Sequence, residues 1–251
     1  MTIQEEEYVT LFCEGDGHVR ITPNGYPRVG FSQLERSVLD YIASLTTNGH
    51  FYQNKKTGVW QLTFSSENCV PLLGVFSRHV VGRQFLSRLN EVLAFVGMPL
   101  AVQHPLTLEG FVAFWDAEGS SCNNPTVSVI QKNREILDLI VEMSDGGISL
   151  DKDSGVYHWN LMGKKARKLY KIILEKSHCP VKAEALRRHF EEDRGKTGKA
   201  YRDTHKDEQR VYRDNHRDER KVHNKQLWEE QKRVREWMKA HPDEVVELKG
   251  E

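Results

Sequence analysis

Two short segments of this chain place carboxylates where a divalent cation could be held. In "EYVTLFCEGDGHV" (Glu7 to Val19) an apolar run closes on Glu14-Gly15-Asp16-Gly17, and in "GFVAFWDAEGSS" (Gly110 to Ser121) another closes on Asp116-Ala117-Glu118-Gly119. A carboxylate at the C-terminal end of a helix sits in the negative potential of the helix dipole, and a second one deepens it. Mg²⁺ takes oxygen ligands and is usually held by one or two carboxylates together with substrate phosphate oxygens, so Asp16 and Glu118 are suitable residue types. Metal ions held this way support phosphodiester hydrolysis. Gly15 and Ala117 are small enough to let two helices approach, and Gly17 and Gly119 let the chain turn into a strand.

The elements that must position these acids are legible around them. Thr2 and Glu5 have capping-box spacing ahead of the apolar residues Tyr8, Val9, Leu11 and Phe12, which predicts a short helix ending at the glycines. "HVRIT" (His18 to Thr22) alternates, "PNGYP" turns the chain, and "RVGFSQ" returns it, the pattern of a hairpin. Leu34, Val38, Leu39, Ile42 and Leu45 then recur at helical spacing. A second hairpin turning at Lys56-Thr57-Gly58 and one or two further helices complete the unit.

The same order is written twice. "QLERSVLDYIASLTTNG" aligns with "QKNREILDLIVEMSDGG", matching Gln33 to Gln131, Arg36 to Arg134, Leu39 to Leu137, Asp40 to Asp138 and Ile42 to Ile140. "TGVWQL" (Thr57 to Leu62) stands opposite "SGVYHW" (Ser154 to Trp159). A unit of about 95 residues therefore occurs twice, and a pseudo-twofold pair is its natural assembly. The first hairpin of the second copy is four residues shorter, counting Gly17 to Gln33 against Gly119 to Gln131, so the halves present unequal surfaces.

Bulk composition narrows the function classes. The 251 residues are 38% hydrophobic and 29% charged, no window approaches the roughly 20 apolar residues of a membrane span, and "MTIQEEEY" is unlike a secretory signal. These features predict a globular protein with no membrane partner, in an intracellular setting: a bacterial or phage cytoplasm, or an organelle. Cys13, Cys69, Cys122 and Cys179 are widely spaced, which suggests neither a zinc site nor a disulfide framework. Net charge is zero but unevenly spread. Residues 194–240 hold 15 Lys/Arg and 9 Asp/Glu, a surplus of +6, which leaves −6 on the rest of the chain.

"VTLFCEGDG" and "FVAFWDAEG" resemble the two signature helices of the LAGLIDADG homing endonucleases in their single-chain, two-repeat form, a likeness extending over about residues 1 to 190. The resemblance implies an α+β fold of two pseudo-twofold-related αββαββα repeats with saddle-shaped antiparallel sheets. It implies a monomeric, intron-encoded, site-specific double-strand DNA endonuclease that leaves staggered ends and uses Mg²⁺, with Mn²⁺ as an alternative. The last acid of each motif, Asp16 and Glu118, would bind the catalytic metal, whereas Glu14 and Asp116 would have helix-end roles. Gln33 and Gln131 match a polar residue that lies near the attacking water. Lys182 in "PVKAEAL" matches a basic residue near the final helix, with Arg83 in "VVGRQFL" its weaker counterpart. Thr10-Leu11 and Val112-Ala113 stand where the family usually has Ala-Gly, which predicts a looser or shifted helix crossing. A catalytically silent binder on the same scaffold, either a group I intron maturase with intron RNA as partner or a DNA-binding regulator, is the alternative.

A saddle of strands can lie in the major groove of double-stranded DNA. His18, Arg20, Thr22, Arg28 and Ser32 in the first copy, and Thr126, Ser128, His158 and Asn160 in the second, alternate with apolar positions and so could face DNA. Trp60, Leu62, Phe64, Tyr157, Trp159 and Leu161 read as core beneath helices. The domain organisation is then residues 1–97 and 98–192 as two repeats and 193–251 as linker and charged helical tail. In that tail "YRDTHKDEQRV" and "YRDNHRDERKV" form an 11-residue repeat, which stacks like residues along one helix stripe. Arg202, Lys206, Arg213 and Arg217 fall on one such stripe and could follow nucleic-acid phosphates, or be the solvated face of a single helix.

Overall fold

The computed structural model describes residues 1–121 and 125–191, together with Glu229. The chain divides into two units, 1–192 and 193–251, and the architecture below is that of the first.

Helix α1 (Ile3–Asp16) starts on the capping box: Thr2 Oγ1 accepts the Glu5 N–H at 3.3 Å, and Glu5 Oε2 accepts the Thr2 N–H at 2.6 Å. Every residue from Tyr8 to Cys13 is buried, so the middle of α1 has no solvent face. The chain runs on through β1 (Gly17–Ile21), β2 (Pro27–Gln33), α2 (Arg36–Leu45), β3 (His50–Gln53), β4 (Trp60–Ser65), α3 (Val70–His79) and α4 (Arg83–Phe95). The order then recurs as α5 (Leu108–Glu118), β5 (Gly119–Ser121), β6 (Thr126–Gln131), α6 (Arg134–Ser144), β7 (Gly147–Asp151), β8 (Val156–Met162), α7 (Gly163–Lys176) and α8 (Pro180–Glu191). Each repeat closes on two helices. The break between them falls at the extended Val80 in the first repeat and just before Pro180 in the second, where the ring suits a helix start but not a helix interior.

The result is an α+β fold with two four-stranded antiparallel sheets, ordered β1-β2-β4-β3 and β5-β6-β8-β7. The β3–β4 and β7–β8 hairpins each turn through a left-handed glycine, Gly58 at φ 74° and Gly155 at φ 68°. Alternate strand residues sort the two faces. Val29, Phe31, Leu62 and Phe64 in the first sheet, and Val127, Val129, Trp159 and Leu161 in the second, lie in the core, while Trp60 and Tyr157 are only partly buried. No described helix is long and apolar enough to cross a membrane.

The two repeats join along α1 and α5. A Cβ placed on Gly15 would lie 2.6 Å from Ala117 Cβ, and one on Gly110 would lie 3.0 Å from Leu11 Cγ. Despite Thr10-Leu11 and Val112-Ala113, the helices meet closely at both points. Thr10 is accommodated by turning its hydroxyl back to donate to the Glu6 carbonyl at 2.8 Å.

Candidate active site at the paired helix ends

Asp16 is the last residue of α1 and Glu118 the last of α5, so the close contact of Gly15 with Ala117 carries both carboxylates to the same end of the helix pair. Each acid has a glutamine partner from the second strand of its own sheet. Gln33 Nε2 donates to Asp16 Oδ2 at 2.7 Å, and Gln131 Nε2 donates to Glu118 Oε1 at 3.0 Å. The amide orientation is set by the residue that follows. Gln33 Oε1 accepts the Leu34 N–H at 2.9 Å and Gln131 Oε1 accepts the Lys132 N–H at 2.7 Å, so each NH₂ group must face its carboxylate.

Burial raises the Asp16 pKa to about 6, against the lowering effects of the Lys182 charge and the Gln33 hydrogen bond. Burial, with the nearby charge of Asp16, raises Glu118 to about 7 against the lowering effects of the Gln131 hydrogen bond and the Lys182 charge. Two partly desolvated, mutually repelling carboxylates favour a cation between them. Carboxylate oxygens suit a hard ion that takes its remaining ligands from water and phosphate oxygens; among the described residues no group of three or more His, Cys, Asp or Glu is placed to hold a metal.

The preceding acids organise the backbone. Asp116 is fully buried and accepts from Tyr8 Oη–H at 2.6 Å, Ser177 Oγ–H at 2.5 Å and the His178 N–H at 2.8 Å, which fastens the segment entering α8 to α5. Glu14 accepts the Val81 and Gly82 N–H groups at 2.7 and 2.8 Å ahead of α4, and burial pushes its pKa up to about 8. Carboxylates also reach across the repeats: Glu35 accepts the Val181 N–H at 3.2 Å, and Glu135 accepts the Arg83 N–H at 3.3 Å.

Lys182 reaches the site and Arg83 does not. Lys182 Nζ donates to the Asp116 carbonyl at 2.7 Å and to the Ala117 carbonyl, capping the last turn of α5 just before Glu118. Arg83 has a 77% exposed side chain and pairs with Glu135 at 3.3 Å. Counted from the helix starts, the position in α4 equivalent to Lys182 is Phe85, which is buried. Gln84 and Arg88, one turn apart on α4, line a cleft with Glu118, Gln131 and Glu14. Spacing within α4 could have singled them out, but matching to the "PVKAEAL" segment points to Arg83 instead.

On the sheets, Arg20 pairs directly with Arg28, and His18 with Gly30, on the face away from the core. His18 lies down on the sheet, since a Cβ on Gly30 would come 2.3 Å from its Cε1, and burial followed by the Arg20 and Arg28 charges lowers its pKa. Ser32 pairs with Gln61 on the same face, whereas Thr22 falls past the end of β1, where its Oγ1 accepts the Tyr26 N–H at 3.1 Å. In the second sheet Thr126, Ser128, His158 and Asn160 share the outward face, Ser128 opposite Asn160, yet Thr126 and Ser128 are themselves buried. His50, Tyr52, Gln61 and Thr63 also face outward in the first sheet, and their alternation with Leu62 and Phe64 was the available signal. Arg202, Lys206, Arg213 and Arg217 lie outside the described residues.

No family model and no curated protein matches the sequence. Solved structures match in three dimensions. The LAGLIDADG homing endonuclease I-LtrWI, bound to target DNA, superposes with a TM-score of 0.52 at 12% identity, covering 69% of this chain and 83% of that one. The LAGLIDADG meganuclease I-AabMI, bound to uncleaved DNA, gives 0.54 at 15% identity over 77% and 92%. The fold is that of the LAGLIDADG homing endonucleases. I-SmaMI, bound to an uncleaved DNA target in the presence of calcium ions, gives 0.51 at 9% identity over 68% and 84%. In this LAGLIDADG fold the contact between α1 and α5 is the seam of the two repeats, and Asp16 and Glu118 stand at its end.

Proposed function

We propose that the protein is a site-specific endonuclease that cuts both strands of a DNA duplex, with residues 1–97 and 98–192 addressing the two halves of its target. The observation that carries this reading is the matched pair of constellations Asp16–Gln33 and Glu118–Gln131, one from each repeat, joined at one helix seam. The three structures compared above were determined with DNA, one of them with calcium, which agrees with a DNA substrate and a divalent ion.

Asp16 and Glu118 would hold Mg²⁺ or Mn²⁺, whose chemistry is to activate water and to neutralise charge developing on the phosphate. The glutamines keep both carboxylates in place and retain a second amide N–H that can orient water at each strand. Lys182 brings fixed positive charge to the end of α5, where it stabilises ionised Asp16 and Glu118. Arg88, at the cleft beside Glu118, is suited to a phosphate on the opposite side. The outward face of the first sheet, with Arg20 and Arg28, and that of the second, with His158 and Asn160, would lie along the groove.

The test is incubation with a plasmid carrying the locus that flanks the reading frame, first with Mg²⁺ and then with Ca²⁺. Linear product with Mg²⁺ and bound, intact DNA with Ca²⁺ support the nuclease. Binding without cutting under both ions supports the silent binder instead.

A further inference from the structure

Helix α7 carries charge that neither the described part of the fold nor the proposed cleavage site uses. Its 14 residues, "GKKARKLYKIILEK", include six Lys/Arg and a single acid. Ala166, Leu169, Tyr170 and Ile173 form its buried side. Lys164, Arg167, Lys168 and Lys171 are exposed at i, i+3, i+4 and i+7, so they share the opposite side over about 10 Å of helix.

Apart from Arg88 at the cleft, the other described helices treat exposed cations differently. Arg36 pairs with Asp40 in α2, Arg134 with Asp138 in α6, and Arg187 and Arg188 with Glu184 in α8, each three or four residues apart. Within α7, Lys165 pairs with Asp145 and Lys176 with Glu109, but none of the four stripe residues forms an ion pair among the described residues. They repel one another at i, i+3 and i+4, and Lys164 stands in the first turn, where the helix dipole also disfavours a cation. The corresponding helix of the first repeat, α3, reads "VPLLGVFSRH" and has no such stripe. Local conflicts of this kind, uncompensated among the described residues, mark surfaces kept for a partner.

The charge of the stripe suits a polyanion, and its placement turns it away from a duplex on the sheets. The buried side of α7 packs on the core face of β6 and β8, so the cationic stripe lies about a helix diameter, 10–12 Å, behind a sheet whose other face would hold the target. The stripe presents no aromatic ring for base stacking, since Tyr170 is on the buried side, which suits a duplex backbone better than splayed single-stranded bases.

We propose that Lys164, Arg167, Lys168 and Lys171 form a second, sequence-independent site for duplex DNA, so that one protein molecule can hold two DNA segments at once and pass between them while searching for its target. The first of those segments rests on the DNA-binding reading of the sheet face.

The experiment uses the full chain with two unrelated duplexes, one carrying a donor fluorophore and one an acceptor, at low salt. Sedimentation checks that a single protein molecule is present per complex. Wild type is expected to bring donor and acceptor together, and K164Q/R167Q/K168Q/K171Q to lower that energy-transfer signal at least fivefold while binding of a single duplex changes less than twofold. K164R/K168R/K171R keeps the charge and should keep the bridging, which separates loss of charge from damage to the helix. Undiminished bridging by the glutamine variant overturns the proposal, as does displacement of the second duplex by an RNA hairpin far below the concentration of competing DNA needed. Wild type that binds one duplex but never two overturns it while leaving the sheet reading intact. Failure to bind even one duplex sinks the sheet reading and this proposal together.

Discussion

Gly15 and Ala117 touch so closely that a side-chain carbon added to the glycine would sit 2.6 Å from the alanine methyl. The carbons of Glu118 lie next in line, with Cγ 3.1 Å from the same point. One small residue therefore sets both the seam between the repeats and the spacing of the carboxylates beyond it. Gly15→Ala should destabilise the protein by about 1–3 kcal/mol through overpacking, read from the urea midpoint at unchanged slope. Gly15→Val should cost more and reduce cleavage beyond its effect on stability. A glycine variant as stable as wild type would mean that the seam is looser than described.

Asp16→Asn and Glu118→Gln should each abolish double-strand cleavage and leave duplex affinity within a few fold. Each removes a negative charge from beside the phosphates, so affinity measured without divalent ions should rise slightly. Gel-shift and plasmid-cutting assays on the same preparations check both halves. Substantial cutting by either variant would count against the two-carboxylate site.

The same acids leave a signature in the metal-free protein. Folding raises Asp16 to about 6, Glu118 to about 7 and Glu14 to about 8, all above ordinary carboxylate values. Between the unfolded and folded values the native state binds more protons than the unfolded state at these three acids, so their contribution to stability is fully present below about pH 4 and is lost as pH rises through these values. In EDTA, Tm should decline from about pH 5 to 8, and the Asp16→Asn/Glu118→Gln double variant should flatten much of that decline. Added Mg²⁺ should restore stability at the upper end, since it binds the ionised native site. A metal-free Tm profile identical in wild type and the double variant over this range would contradict the burial described.

Asp116 gathers Tyr8, Ser177 and the His178 N–H around one buried carboxylate. Tyr8→Phe and Ser177→Ala should each destabilise by about 1–3 kcal/mol, because each removes a donor from a buried acceptor. The double variant should depart from additivity by about 0.5 kcal/mol or more, since both donors serve one group. Chemical denaturation of the four proteins in the cycle measures it, and strict additivity would mean the network does not act as a unit.

Much of the architecture was legible because its determinants are local. The capping box at Thr2 and Glu5, the alternation of Leu62 and Phe64 with Gln61 and Thr63, and the recurrence of Gln-x-x-Arg in both repeats predict the elements and their order. Matching Lys182 to Arg83 illustrates the limit. Both lie near the start of a final helix, but the two helices begin at different points in the matched segments, so the position in α4 equivalent to Lys182 is Phe85, and Arg83 turns away to Glu135. Thr22 is similar: it continues an alternating run, yet the strand stops at Ile21 because the turn uses the threonine hydroxyl as an acceptor. Burial of Thr126 and Ser128 on the outward face likewise follows from tertiary surroundings and not from strand periodicity.

By itself the sequence determined the kinds of group available and the periodicity on which they ride: two acid-ended apolar helices, two sets of alternating strands, and a glutamine closing the second strand of each set. Only the tertiary structure decided that Asp16 and Glu118 share one seam, that each is held by its glutamine, and that burial raises both of their pKa values, with the Asp16 charge adding to the rise of Glu118. The physical reason is that helix and strand periods are settled by neighbours along the chain, whereas electrostatic coupling and desolvation depend on separations through space, which here are fixed by the close packing of α1 on α5.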